Sequence, residues 1–328
     1  MPSIFVSTSP FGEHDRAPLD WLRETGWSFR VNDMGRKLTS QEVAERAEHC
    51  DGIIAGTEDL LPLLERNPKL RVIARVGVGL DSVPLRRCRD RGIAVSYTPD
   101  AVTPAVAEFT IGAMIAACRD IAGVDRKLRT GRWHRHQGKR IGESRIGIVG
   151  FGRIGSYVGR LIAPFGPAAI LVSDVADKSR EIAALSSGGA RIEAASLDRV
   201  LEECDIVTLH VPIDHVSRGF MNEGRLRQMR RGSYLINASR GGLVDEAVLY
   251  RVLKDGHLAG AAIDVFEHEP YAGPLLELEN ILVTPHLGSC SVDCRANMER
   301  EATEDLIRFL SGKTLKSPVP PEEYENQI

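Results

Sequence analysis

No apolar run in these 328 residues approaches the length of about 20 that a bilayer-crossing helix needs. The amino terminus, Met1-Pro2-Ser3-Ile4-Phe5-Val6, reads as a strand and lacks the basic, apolar and cleavage regions of a secretory leader. Neither charge dominates: 42 Lys and Arg stand against 45 Asp and Glu, a net −3, so no global field holds a polyphosphate backbone. The six cysteines (Cys50, Cys88, Cys118, Cys204, Cys290, Cys294) contain no CxxC pair, which argues against a disulfide framework. Cys290 and Cys294 follow His286, but no second cluster completes a metal site, and no metal is expected. No repeat of fixed period is visible. These absences leave a cytoplasmic globular protein with neither nucleic acid nor membrane as partner, long enough for two domains.

What is present is an alternation of short apolar strands with amphipathic helices, the pattern of parallel α/β layers. In the first third the expected strands are Ile4–Ser7, Gly52–Ala55, Val72–Arg75 and Ala94–Ser96, with a helix from Ser40 to His49 that Ser40 caps. Thr103-Pro104 starts a long apolar helix. A second α/β unit begins at Arg145–Val149 and continues through strands at Ala169–Val172, Ile206–Leu209, Tyr234–Asn237, Gly260–Ile263 and Ile281–Thr284. A last long helix follows Ser291 to about Leu310, and the polar, Pro-rich tail from Ser317 to Ile328 reads as loose. That last helix can return to the first unit, which would make the first domain discontinuous.

Gly150-Phe151-Gly152-Arg153-Ile154-Gly155 fits GxGxxG, and its context gives the match weight. An apolar strand runs into it, a helix follows, and Asp174 stands at the end of the next strand, 19 residues beyond Gly155. Gly150 permits the tight turn, Gly152 lets a pyrophosphate approach the backbone, and Gly155 lets the helix pack close to the sheet. Asp174 accepts from both hydroxyls of an adenosine ribose and repels a 2′-phosphate, so NAD is expected over NADP.

Three polar segments lie just beyond apolar strands of the same unit, where ligands of open α/β sheets gather. They are Asn237-Ala238-Ser239-Arg240-Gly241-Gly242, Asp264-Val265-Phe266-Glu267-His268-Glu269-Pro270, and Thr284-Pro285-His286-Leu287-Gly288-Ser289. With the glycine fingerprint, and with Gly77-Val78-Gly79-Leu80-Asp81, Tyr97-Thr98-Pro99-Asp100, Ala107-Glu108 and His210-Val211-Pro212, they resemble the D-isomer-specific 2-hydroxyacid dehydrogenases over about residues 51–303. This family includes phosphoglycerate dehydrogenases and glyoxylate/hydroxypyruvate reductases. The resemblance implies two Rossmann-like domains with doubly wound parallel sheets and the active site in the cleft between them. A discontinuous, flavodoxin-like substrate domain would span 1–99 plus 292–328, and an NAD-binding Rossmann domain 100–291. It also implies a homodimer built through the cofactor domain and the arm near Leu128 to Gly142.

Residue roles come with the resemblance. His286 matches the family's general acid/base, and Glu269 the carboxylate that bonds its other ring nitrogen and favours the protonated imidazole. Arg240 matches the arginine whose planar fork binds the substrate carboxylate and polarises the C2 carbonyl. Backbone N–H groups of Val78 and Gly79 match the loop that holds the same carboxylate. His210, Val211, Pro212, Ser239 and Asp264 match cofactor contacts, Asp264 towards the nicotinamide amide; Thr98 and Glu108 are further candidates near that ring.

The substrate implied is a small 2-keto or 2-hydroxy acid. Phosphoglycerate dehydrogenases often carry an arginine after the strand matching Gly52–Ala55, where this chain has Gly56-Thr57-Glu58. A glutamate repels a phosphate, so glyoxylate or hydroxypyruvate is preferred, while Arg75, Arg132 or Arg135 leave 3-phosphoglycerate open. The family's formate enzymes have glutamine where Glu269 stands; a phosphite-oxidising member is not separated on that ground. A different class of relative, the NAD-sensing corepressor, keeps the same Arg, Glu and His and is the alternative to an enzyme.

Overall fold

In a computed structural model, which describes residues 1–213 and 217–327, the chain divides into two compact units. Unit 1 comprises Met1–Val102 and Cys290–Ile328, and unit 2 Thr103–Ser289. The partition falls inside the helix Pro99–Cys118 rather than ahead of it.

Unit 1 is built on β1 (Ser3–Val6), β2 (Ser28–Val31), β3 (Gly52–Ala55), β4 (Val72–Arg75) and β5 (Ala94–Ser96), ordered β2-β1-β3-β4-β5 and parallel throughout. Every residue of β3 and β4 is buried, as expected for strands of a parallel sheet covered on both faces. The helix Val292–Leu310, capped by Ser291, packs on them through Met298, Ala302, Leu306 and Leu310. Gly52 allows that approach: a Cβ there would meet Val72 at 2.9 Å and Leu306 at 3.2 Å.

Unit 2 carries β6 (Arg145–Val149), β7 (Ala169–Ser173), β8 (Ile192–Ala194), β9 (Ile206–Leu209), β10 (Tyr234–Asn237), β11 (Gly260–Ile263) and β12 (Ile281–Val283). Their order, β12-β11-β10-β9-β6-β7-β8, is parallel and reverses between β6 and β9. Leu171, Val207, Leu235 and Ala261 enter a core on one face; Ile146, Ile148, Ile206 and Ile236 enter a core on the other.

Several local expectations are corrected. Thr39, not Ser40, caps the second helix, in a capping box with Glu42, and that helix ends at Arg46. The long apolar helix starts at Pro99, which takes the first-turn place expected of Pro104 and leaves Pro104 inside. This helix is also long and apolar enough by composition to cross a membrane, with mean hydropathy 1.6 over a window half buried within the protein. Ala107, Met114 and Cys118 fill a core of unit 2 with Ile146 and Ile148, so one face of the helix has partners within the protein. The tail is anchored rather than loose. Val319 donates to the Val95 carbonyl at 3.0 Å, a short helix spans Pro321–Asn326, and Gln327 bonds the backbone of Leu80 and Leu85 at 2.8 and 2.7 Å.

Candidate active site

Unit 2 gathers its glycine turn where the strand order reverses, between β6 and β9. Gly150 has φ +88°, and a Cβ on it would lie 2.4 Å from the His210 carbonyl oxygen. A Cβ on Gly155 would lie 2.0 Å from the Gly150 oxygen. Gly152 differs: nothing lies within 4 Å of a Cβ there, so the chain itself does not require glycine. It is the N-cap of the helix Arg153–Ile162 and offers no side-chain cap, so the first-turn N–H groups face outward beside an empty Cβ position. This is the arrangement a dinucleotide pyrophosphate fits.

Asp174 follows β7, half-buried. Its carboxylate accepts from the Phe151 N–H at 2.5 Å and the Ala176 N–H at 2.8 Å, tying the strand end to the glycine turn. Arg153 lies exposed on the helix start and Ile154 half-buried behind it. Burial pushes the His210 imidazole down to about 3, so the ring is neutral, with Nε2 3.0 Å from Thr208 Oγ1. The Val211 carbonyl accepts from Ser239 Oγ at 2.7 Å, and Pro212 lies exposed beside it.

The loop after β10 is held by a residue to which the sequence assigned no role. Asn237, 1% exposed, donates through Nδ2 to the Arg240 carbonyl at 3.0 Å and accepts at Oδ1 from Ser239 N–H at 3.1 Å. Its place as the last residue of a fully buried strand was the available signal. Gly241 presses this loop onto the next: a Cβ would sit 1.8 Å from the Phe266 oxygen. Arg240 extends from the tightened turn, one guanidinium nitrogen donating to the Ser239 carbonyl at 2.8 Å.

Glu269 and His286 come together. Glu269 Oε1 accepts from the Phe266 N–H at 3.1 Å, and Oε2 lies 3.0 Å from His286 Nδ1. An ionised carboxylate only accepts, so the proton sits on Nδ1 and Nε2 faces away from the pair. The pair is accessible, with 39% and 47% of the two side chains exposed. His286 has φ +58°, a left-handed backbone uncommon outside glycine.

Asp264 holds His286 there. The Asp264 carbonyl accepts from the His286 N–H at 2.9 Å; its carboxylate, in a residue 2% exposed, accepts from Thr284 Oγ1 at 2.5 Å, Leu287 N–H at 2.7 Å and Gly288 N–H at 2.8 Å. Three of about four acceptor directions on this carboxylate serve its own loop, which leaves one for a donor such as the expected nicotinamide amide.

In unit 1 the loop after β4 turns two carbonyls inward. Arg75, 6% exposed, donates through Nε to the Gly79 oxygen at 2.9 Å and through a terminal nitrogen to the Val76 oxygen. Among the described residues none accepts from the N–H of Val78 or Gly79. Thr98, fully buried, accepts from the Gly77 N–H at 2.8 Å and so shapes this loop from the side. Arg75 is thus a loop clamp, whereas Glu108, Arg132 and Arg135 are exposed in unit 2.

Comparison with known proteins agrees with this geometry. Residues 111–288 match the model of the D-isomer specific 2-hydroxyacid dehydrogenase NAD-binding domain. The chain is 35% identical over 298 residues to a glyoxylate reductase from Korarchaeum cryptofilum, covering 87% of this chain and 86% of that one. It is 33% identical over 288 residues to a D-3-phosphoglycerate dehydrogenase from Methanocaldococcus jannaschii, covering 86% of this chain but 54% of that longer one. A solved structure of an NADPH-dependent glyoxylate/hydroxypyruvate reductase from Sinorhizobium meliloti, with NADP and malonate, superposes with a TM-score of 0.83 at 28% identity, covering 97% of this chain and 96% of that one.

Proposed function

Because the chain belongs to the D-isomer specific 2-hydroxyacid dehydrogenase family, whose members are oxidoreductases, we propose that it reduces a small 2-keto acid with NADH, glyoxylate or hydroxypyruvate before a phosphorylated acid. The nicotinamide cofactor, when bound, supplies the hydride for C2. Gly150, Gly152, Arg153, Ile154 and Gly155 hold its pyrophosphate at the helix N-terminus, with His210, Val211, Pro212 and Ser239 lining the neighbouring strand ends.

His286 gives the proton from Nε2 to the forming alkoxide, or takes it back in the oxidative direction, while Glu269 fixes the ring through Nδ1. Arg240 forks onto the substrate carboxylate and the carbonyl oxygen; within unit 1, the N–H groups of Val78 and Gly79 are of the kind that holds a carboxylate. Asp174 carries the choice of NAD over NADP, the opposite of what the Sinorhizobium reductase uses. A homodimer and a cytoplasmic location complete the reading. The first is supported by Ile121, Leu128 and Trp133, which are 49%, 56% and 82% exposed in unit 2, the second by six free cysteines.

One observation carries the proposal: a His–carboxylate pair at 3.0 Å on a loop whose backbone a buried aspartate fixes. NADH oxidation measured with glyoxylate, hydroxypyruvate, pyruvate, 2-ketobutyrate and phosphohydroxypyruvate tests it. Activity is expected with the first two. His286→Gln should keep NADH binding and lose about 10²–10⁴-fold in kcat. No oxidation with any of the five acids, or an unimpaired His286→Gln, overturns it.

A further inference from the structure

The peptide joining Phe266 to Glu267 is pinned within unit 2. Gly241 lies against it so closely that a Cβ there would fall 1.8 Å from the Phe266 carbonyl oxygen and 2.7 Å from the Glu267 nitrogen. The Phe266 ring stacks on Tyr271, with centroids 4.2 Å apart. Two consecutive N–H groups leave this stretch, and each meets a carboxylate. That of Phe266 donates to Glu269 Oε1 at 3.1 Å, and that of Glu267 donates to Glu246 Oε1 at 2.8 Å. Glu269 turns its other oxygen to His286 Nδ1 at 3.0 Å.

Glu246 stands at the first position of the helix Glu246–Lys254, where an acid ordinarily serves its own helix end. That place is filled by Asp245, whose Oδ1 accepts from the Val248 N–H at 3.0 Å. Glu246 instead reaches 21 residues along the chain, and it does so half-buried. Burial pushes its carboxyl up, as do the neighbouring charges of Glu267 and Asp245, whereas the Glu267 N–H and His268 pull it down. A carboxylate drawn part-way out of water onto one backbone donor makes a stronger hydrogen bond than a neutral acceptor would, because the acceptor is charged. The Arg218–Glu267 pair at 2.7 Å is about half exposed at both ends and is a weak substitute.

We propose that Glu246 is a positioning residue for the proton-transfer pair. By holding the Glu267 N–H it sets the Phe266–Glu267 peptide, and through the adjacent Phe266 N–H it sets Glu269 against His286. This rests on the reading of Glu269 and His286 as the acid/base pair of a 2-keto acid reductase, and it adds a residue to that reading. Glu246 acts through Glu269, so its loss shows in turnover rather than in binding.

The test compares the wild type with Glu246→Ala, which removes the acceptor, and Glu246→Gln, which keeps one. Amide hydrogen exchange is followed at Phe266 and Glu267, and steady-state kinetics with NADH and hydroxypyruvate. Glu246→Ala should exchange both amides about tenfold faster and lose about tenfold in kcat, the scale of one hydrogen bond to a charged group, with KM and NADH affinity unchanged. Glu246→Gln should keep most of the wild-type kcat and protection. In a Glu269→Gln background, Glu246→Ala should cost no further kcat. Unchanged exchange at Phe266, a loss in Glu246→Gln equal to that in Glu246→Ala, or a full further loss in the Glu269→Gln background overturns the inference. Should Glu246→Ala not fold, Glu246→Asp decides, since it keeps the charge but withdraws the oxygen from the Glu267 N–H. The same losses are expected there, and unimpaired exchange and kcat overturn the inference. A wild type that reduces no keto acid sinks the reductase reading itself, while exchange at Phe266 still decides whether Glu246 holds Glu269.

Discussion

Between β6 and β9 the reversal of strand order leaves open backbone: a glycine at φ +88°, a bare Gly152 and a helix without a side-chain cap. Between β1 and β3 it leaves a carboxylate and two hydroxyls packed away from water. Both sheets are parallel, and both reverse beside the first strand of their unit. One end offers N–H groups, which suit an anion; the other turns its polar groups on one another, Ser7 Oγ donating to Glu58 at 3.3 Å. The same topology thus carries different polar chemistry in the two units, set by a handful of residues leaving the strands.

That contrast breaks most sharply at Gly152. Because no atom lies within 4 Å of a Cβ there, Gly152→Asp should fold, yet its charge should repel the pyrophosphate and cost on the order of 100-fold in NADH affinity. Gly155→Ala, whose Cβ meets the Gly150 oxygen at 2.0 Å, should instead lower the melting temperature. Fluorescence titration and thermal melts separate the two; a Gly152→Asp protein that binds NADH normally removes the anion site from this end of unit 2.

His210 provides the next test. The unfolded chain protonates this imidazole near 6.5 and the folded one only near 3, so its contribution is whole above 6.5 and drains away as pH falls towards 3. The slope is at most about 1.4 kcal/mol per pH unit. Urea midpoints at pH 7 and pH 5 should therefore fall more for the wild type than for His210→Asn, and parallel falls would show that the ring is not held neutral. The smallest effect concerns Asp174. Asp174→Asn should raise the NADP-to-NAD ratio of kcat/KM by about tenfold, as expected when one repulsive charge is neutralised; an unchanged ratio places selectivity elsewhere.

Much of this was legible in the residues. The central strands of both sheets announce themselves as continuous apolar runs because helices cover both their faces. The edge strands β2 and β8 do not: Ser28–Val31 and Ile192–Ala194 are partly exposed, and polar residues interrupt any periodic signal. The glycine fingerprint and the Glu269–His286 pair were readable as types at strand ends. The bonds that hold them were not. Asp264 reaches Thr284 and Gly288 across 20 and 24 residues, and nothing local says that its carboxylate braces that loop. The loop after β3 showed a glutamate in sequence, but its burial beside Ser7 and Thr8 depends on β1 pairing with β3.

The discontinuity of unit 1 has a consequence for synthesis on the ribosome. Residues 1–102 emerge first, but the helix that covers β3 and β4 is encoded after the whole of unit 2. The early segment must wait while roughly 190 further residues are made, on the order of 10–40 s at cellular elongation rates. Throughout that interval the faces of Ile54 and Ala74 lack the cover of Leu306 and Leu310, whereas unit 2, contiguous in sequence, can fold as soon as it clears the exit tunnel. The nascent amino-terminal third is thus a natural client for a chaperone. Proteolysis of ribosome-stalled chains should find unit 2 protected before unit 1; the reverse order would mean that the first 102 residues fold without their helix.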